Sequence, residues 1–240
     1  MSGTQKVTDK AWCPGCGNFM ILKALDEALE QHGVDRKNLV LVSGIGQAAK
    51  LPHYTDANVF NGLHGRALPA ATGIRMANHS LDVIVTSGDG DLYGEGGNHL
   101  LHAMRRNIGI KVFAHNNQVY GLTKGQASPT AEPGFITPAQ PAGVVLEPAN
   151  PIALAIIEDV SFVARGTAAD REQLVELMVE AMKTDGFALL DILQMCVTYN
   201  RNKSRKWYQE NCYRLPEDHD PSDRAAALEI AVRKEEKIAT

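Results

Sequence analysis

The chain has 240 residues, 44% of them hydrophobic, 22% charged and 6% aromatic, which excludes a disordered, collagen-like or disulfide-scaffold protein. Lys and Arg total 24 against 28 Asp and Glu, a formal net charge of -4, and no basic stripe marks a nucleic-acid groove. No run approaches the roughly 18 apolar residues of a membrane span, and residues 1–6 lack a signal peptide's apolar stretch, so a cytoplasmic location is expected.

Taken in order, strands alternate with helices. Residues 18–33 carry Ile21, Leu22, Leu25, Ala28 and Leu29 at helical spacing, with Gly33 as the C-cap. A buried strand at 39–42 runs into Ser-Gly-Ile-Gly at 43–46. A small-residue helix follows Pro69 over 70–76, and a second strand at 83–85 leads into Ser-Gly-Asp-Gly-Asp at 87–91. A helix is predicted over 96–106 and a third strand over 110–114, ahead of Asn116 and Asn117. Six prolines between 129 and 151 make 125–151 a long ordered loop, a type that is often functional. Then come a helix (151–158), a strand (161–164), a helix (171–183), a strand (188–193) and a terminal helix (224–238). The pattern predicts an α/β fold with a doubly wound, mostly parallel sheet over residues 1–215, and a helical tail at 216–240 as a candidate contact between subunits. Sites in such sheets lie in loops at the C-terminal ends of strands.

Two features carry chemistry. Cys13 and Cys16 form a Cys-x-x-Cys pair, half of a metal, iron–sulfur or redox site, or else an inert tight turn. Gly-Asp-Gly-Asp at 88–91 follows one strand and Asn116-Asn117 follows the next. Glycines admit a phosphate close to the backbone, and the Asp89 carboxylate and Asn117 amide are hard oxygen ligands for Mg²⁺. The cation is needed: two like unit charges about 4 Å apart repel by about 4 kcal/mol at an effective dielectric of 20.

The spacing of GDG, about 25 residues, then NN resembles the thiamine diphosphate signature. Added to it in order are Cys-Pro-Gly-Cys-Gly (13–17), Ser-Gly-Ile-Gly (43–46), His64-Gly65-Arg66, the segment 116–126 and Cys-Val-Thr-Tyr-Asn (196–200). Together they resemble the β subunit of the 2-oxoacid:ferredoxin oxidoreductases over residues 11–215. The resemblance implies a thiamine diphosphate-binding fold of the diphosphate-binding type. It implies that Asp89, Asn117 and the Val119 carbonyl hold Mg²⁺. It places Gly44, Ile45, Gly46, His64, Gly65, Gly88, Gly90, Asp91, Gly121, Leu122 and Thr123 around thiamine diphosphate. Cys13, Cys16 and Cys196 match ligands of a 4Fe-4S cluster. The implied reaction is oxidative decarboxylation of a 2-oxoacid, with coenzyme A taking the acyl group and electrons leaving singly to ferredoxin.

Lys50 and Lys124 are candidate catalytic residues beside His64, cationic partners for a distal carboxylate. The Thr-Lys-Gly-Gln form at 123–126 resembles the 2-oxoglutarate enzymes. The family's fourth cluster cysteine would follow Gly46, where this chain has Gln47, so the expected ligation is atypical; Cys212 lies outside the pattern. Thiamine enzymes draw an activating glutamate from a pyrimidine-binding domain, which implies that an α subunit bears it. Other readings are a thiamine-dependent decarboxylase or oxidoreductase subunit without a normal cluster, a pyruvate or branched-chain substrate, and a metal-stapled binding module with a degenerate phosphate loop.

Overall fold

The computed structural model describes residues 9–233 and 237–240. In chain order the elements are α1 (Asn18–His32), β1 (Leu39–Ser43), a 3-10 segment (Ala48–Tyr54), β2 (Asn58–Asn61), α2 (Ala67–Ala77), β3 (Asp82–Gly88), a π-helical turn (Gly90–Glu95), α3 (Gly97–Arg105) and β4 (Lys111–Asn116). There follow a ribbon of β5 (Val119–Tyr120) and β6 (Gln126–Ala127), then α4 (Pro151–Ile157), β7 (Phe162–Thr167), α5 (Arg171–Lys183) and β8 (Ala188–Leu193). The chain ends with α6 (Arg205–Asn211), β9 (Cys212–Tyr213), α7 (Arg224–Val232) and β10 (Ile238–Ala239).

Six strands form one parallel sheet in the order β2-β1-β3-β4-β8-β7. Alternate residues point to opposite faces. Leu39 and Leu41 of β1 pack in the core that holds α1 and α5, while Val40 and Val42 pack in the one that holds α2 and α3. Helices on both faces explain why the strands read as continuous apolar runs. The order reverses at β1, which has β2 on one side and β3 on the other. The loops after β1 and β3 leave at that crevice, the place where open α/β sheets bind ligands.

The expected fold class is the observed one, and α5 and β8 have the expected bounds. Gly33 adopts φ +73 and returns its N–H to Leu29 and Glu30. Three elements differ from expectation, the first two for physical reasons. Helix α2 starts at Ala67, with Pro69 in its first turn, where a missing N–H costs nothing. The helix before β4 starts at Gly97, because 90–95 form a π turn closed by Gly96 N–H on the Asp91 carbonyl. The terminal helix stops at Val232; residues 234–236, on which part of that expectation falls, lie outside the described residues. Beyond them β10 pairs with β9, and Thr240 N–H donates to Tyr213. Strand β2 and helix α6 were not legible as elements. No helix among the described residues is long and apolar enough to cross a membrane.

Candidate functional site

At the crevice two loops and the end of β3 converge on one carboxylate. Asp91, 2% exposed, accepts from Ile45 N–H at 3.1 Å, Gly65 N–H at 2.8 Å and Ser87 Oγ at 2.8 Å, and meets His64 Nδ1 at 2.7 Å. It joins the loop after β1, the loop before α2 and the end of β3. A Cβ on Gly44 would lie 2.0 Å from Asp91 Oδ2, so only glycine permits this approach. Gly46, at φ +121, has nothing among the described residues within 4 Å of its would-be Cβ, which leaves open space beside it. Because Nδ1 of His64 is held by Asp91, the half-exposed ring presents its Nε2.

Asp89 has a different environment. It is 1% exposed, and Ser128 Oγ (2.6 Å), Thr130 Oγ1 (2.8 Å) and Gln118 N–H (3.1 Å) all reach the same oxygen, Oδ2. Burial pushes its carboxyl up to about 6, against the pull of Ser128 and Thr130, and Asp191 raises it further. Gln118 takes a left-handed conformation at φ +65, and the Asn117 amide oxygen accepts Val119 N–H at 3.0 Å in a tight Asx turn.

Behind this loop is a buried network. Thr130 Oγ1 lies 2.8 Å from Asn116 Oδ1, and Asn116 Nδ2 donates to both oxygens of Asp191, which is fully buried on β8. Tyr93 (2.9 Å) and Arg165 (3.1 Å) complete the shell of Asp191. Asn116 belongs to the Asn pair singled out from the sequence; Ser128, Thr130, Asp191, Arg165 and Tyr93 were not singled out. The proline-rich loop between 125 and 151 was, and it supplies Ser128 and Thr130.

Residues 44–46, 64–65, 88–91 and 117–119 therefore gather at one mouth. Gly121, Leu122, Thr123 and Lys124 continue from it; Leu122, Thr123 and Lys124 are exposed, and Lys124 is at φ +79. Lys50 is turned instead toward the N-terminal segment, its Nζ 3.2 Å from the Ala11 carbonyl.

Cys13, Cys16 and Cys196 are brought to a second, neighbouring place. The thiols of Cys13 and Cys196 both act on Cys16, and Thr198 Oγ1 contacts Cys13 Sγ at 3.3 Å. Burial pushes the Cys16 thiol up to about 11, opposed by the Asn18 N–H. Gln47 is tied to the residue before Cys13: its carbonyl accepts Trp12 Nε1 at 2.8 Å, its Cγ lies 3.8 Å from a Cβ built on Gly121, and its buried Oε1 has no hydrogen-bond partner among the described residues. Cys212 lies on β9, paired with Ile238 of β10. Among the described residues no group of three or more His, Cys, Asp or Glu could hold a metal ion. An iron–sulfur cluster is several atoms across and spaces its thiolates more widely than a lone ion does. Asn200 Nδ2 on the Asn117 carbonyl (3.2 Å) and His115 Nδ1 with Asn18 Oδ1 (2.8 Å) tie the two places together.

The comparisons agree with this geometry. Residues 42–192 match the model of the thiamine pyrophosphate enzyme C-terminal TPP binding domain, and residues 196–240 match that of the C-terminal part of the pyruvate ferredoxin oxidoreductase beta chain. The chain is 49% identical to a 2-oxoacid:ferredoxin oxidoreductase subunit beta of Saccharolobus solfataricus over 219 residues, 90% of this chain and 71% of that one. It is 44% identical to the 2-oxoglutarate oxidoreductase subunit KorB of Mycobacterium tuberculosis over 189 residues, 79% of this chain and 51% of that one. The solved 2-oxoglutarate:ferredoxin oxidoreductase of Magnetococcus marinus, with 2-oxoglutarate, coenzyme A and succinyl-CoA bound, superposes with a TM-score of 0.95 at 37% identity. That match covers 98% of this chain and 80% of the other. With the cofactor-domain match spanning the very loops that meet at the β1/β3 crevice, the chain belongs to the family of 2-oxoacid:ferredoxin oxidoreductase β subunits.

Proposed function

We propose that this subunit binds thiamine diphosphate through Mg²⁺ at the β1/β3 crevice and, with an α subunit, oxidatively decarboxylates 2-oxoglutarate to an acyl-coenzyme A and CO₂. The observation that carries this reading is Asp89. A buried carboxylate with Ser128, Thr130 and Gln118 crowded on one oxygen, the Gly90 N–H as a further partner and a second acid as its charged neighbour fits a site completed by a cation. The Asp89 carboxylate, Asn117 amide oxygen and Val119 carbonyl are the hard oxygen set that Mg²⁺ takes, with diphosphate oxygens completing it. That set holds a single carboxylate, so a search for clusters of acids, His and Cys does not reveal it.

When bound, thiamine diphosphate supplies the nucleophilic carbon and the electron sink. The chain's own residues then have separate tasks. The open space beside Gly46 and the glycines at 88 and 90 admit the diphosphate, while Asp91 fixes the loops around it. His64, its Nδ1–H held by Asp91, offers Nε2 as the proton donor or acceptor at the mouth. Lys124, exposed on the loop after Leu122 and Thr123, meets the distal carboxylate of a dicarboxylic substrate. Lys50 serves the same end only by leaving the Ala11 carbonyl.

We also assign Cys13, Cys16 and Cys196 to an iron–sulfur cluster of atypical ligation, with Gln47 at the corner where a fourth thiolate would stand. The exposed Ile45, Phe60 and Leu63 near the mouth support an α subunit seated there, bearing the activating glutamate. The segment 216–240 is a second candidate contact.

The test uses the chain co-purified with its α partner. The complex is expected to reduce a low-potential one-electron dye in the presence of 2-oxoglutarate, coenzyme A, thiamine diphosphate and Mg²⁺. Lys124→Ala is expected to raise the KM for 2-oxoglutarate while leaving any pyruvate rate in place. No 2-oxoacid-dependent reduction by the assembled complex would refute the reading.

A further inference from the structure

A polar chain crosses the sheet from its edge strand to the mouth: Arg165 on β7, Asp191 on β8, Asn116 on β4, then Thr130 and Asp89. Asp191 is fully buried and stands in register with Arg165, whose side chain is 22% exposed. A buried pair of this kind is a poor source of stability. Withdrawing both charges from water offsets much of their attraction, and apolar residues of similar volume often replace such a pair without loss. Its place in the chain suggests another role. Asn116 Nδ2 lies 3.0 and 3.3 Å from the two Asp191 oxygens. The reverse setting of the amide would press its oxygen on a carboxylate, with no proton between two acceptors. Asp191 therefore dictates which end of the amide reaches Thr130. That end is Oδ1, 2.8 Å from Thr130 Oγ1, and the same hydroxyl lies 2.8 Å from Asp89 Oδ2. Gln118 Nε2 secures the Thr130 carbonyl at 3.0 Å.

We infer that Asp191, paired with Arg165, is a positioning residue for the diphosphate site, fixing the Asp89 carboxylate through Asn116 and Thr130. The inference rests on the reading of Asp89 given above. The Thr130 hydroxyl has one proton and an acceptor on either side, Asn116 Oδ1 and Asp89 Oδ2, so its rotation is confined to the line between them. Arg165 balances the charge of Asp191 inside the sheet. Without Asp191 the Asn116 amide is free to turn either end to Thr130, and the hydroxyl is free to leave Asp89. Four elements distant in sequence are thus made to agree on the position of one oxygen.

The test is the double variant Asp191→Val/Arg165→Met in the assembled complex, alone and combined with Thr130→Val. It removes one charge of each sign, so net charge is unchanged, and both replacements suit a buried strand. Calorimetric affinity for thiamine diphosphate in the presence of Mg²⁺ is expected to fall about tenfold. Added to Thr130→Val, the double variant should cost less than about a further twofold, because Asp191 acts through Thr130. A pair that served the fold alone would shift the urea midpoint and leave the affinity at the parent's value, which would overturn the inference. So would independent losses that multiply in the combined variant. If the double variant does not fold, Asn116→Leu breaks the same chain at its middle and carries the same two expectations. A parent complex without Mg²⁺-dependent binding would overturn the reading of Asp89 first, and this inference with it. Parent binding with an unaffected variant would overturn the inference alone.

Discussion

Asp91 and Cys16 are both withdrawn from water, yet the chain provides for them in opposite ways. Four donors from two loops and the end of β3 meet the Asp91 carboxylate, so the cofactor cradle is built by the polypeptide itself. The thiol of Cys16 has the Asn18 N–H to offset its burial and two further thiols beside it. The first region is organised before anything binds, whereas the second, on the cluster assignment proposed above, would reach its low-energy form only when an inorganic centre took the thiolates. Preorganised oxygen and N–H groups suit a cofactor that is exchanged; a thiol cluster suits one that is installed.

Substitutions can break or sharpen this contrast. Among the residues that support the site, the largest effect is expected at Thr130, whose hydroxyl links Asp89 to Asn116. Thr130→Val should weaken Mg²⁺-dependent diphosphate binding by about 10- to 100-fold, the usual range for a residue that orients a metal ligand, with iron content unchanged. Calorimetry and iron analysis on the same preparation would check both halves. If iron falls with diphosphate affinity, the two regions are not separately built.

A smaller effect is expected at His115, which joins β4 to the start of α1 and so connects the cradle strand to the thiol loop. Burial pushes its imidazole down to about 3, so it stays neutral in the folded chain where the unfolded chain takes up a proton near 6.5. The unfolded state therefore binds more protons between these values, and stability rises with pH across that window. His115→Asn should flatten this acid limb by on the order of 1 kcal/mol per pH unit below 6, read from urea melts at a series of pH values. An unchanged slope would show that His115 does not titrate in this way.

The sequence disclosed the parts of the site that lie in short segments. Gly-Asp-Gly-Asp, the Asn pair and the cysteines announce themselves because turn geometry and ligand chemistry restrict residue choice locally. Asp191 and Arg165 were hidden, since a charged residue in an apolar strand has meaning only once β7, β8 and β4 are neighbours. Ser128 and Thr130 were hidden for the same reason: their hydroxyls matter because the loop folds back onto Asp89. Strand β2 escaped because its four residues are all exposed at the sheet edge, without the alternation that burial on one face imposes. The π turn escaped because its one extra residue per turn comes from the packing of 90–95 rather than from helix propensity.

The central claim is that Asp89 anchors a Mg²⁺-bridged diphosphate at the β1/β3 mouth. Its most direct test is calorimetric titration of thiamine diphosphate into the assembled complex, with Mg²⁺, with chelator, and in Asp89→Asn. The asparagine keeps an acceptor for Ser128, Thr130 and Gln118 while removing the charge. The account predicts saturable binding that weakens by about 100-fold or more on chelation and equally in the variant. Binding of the same strength in all three conditions would contradict it.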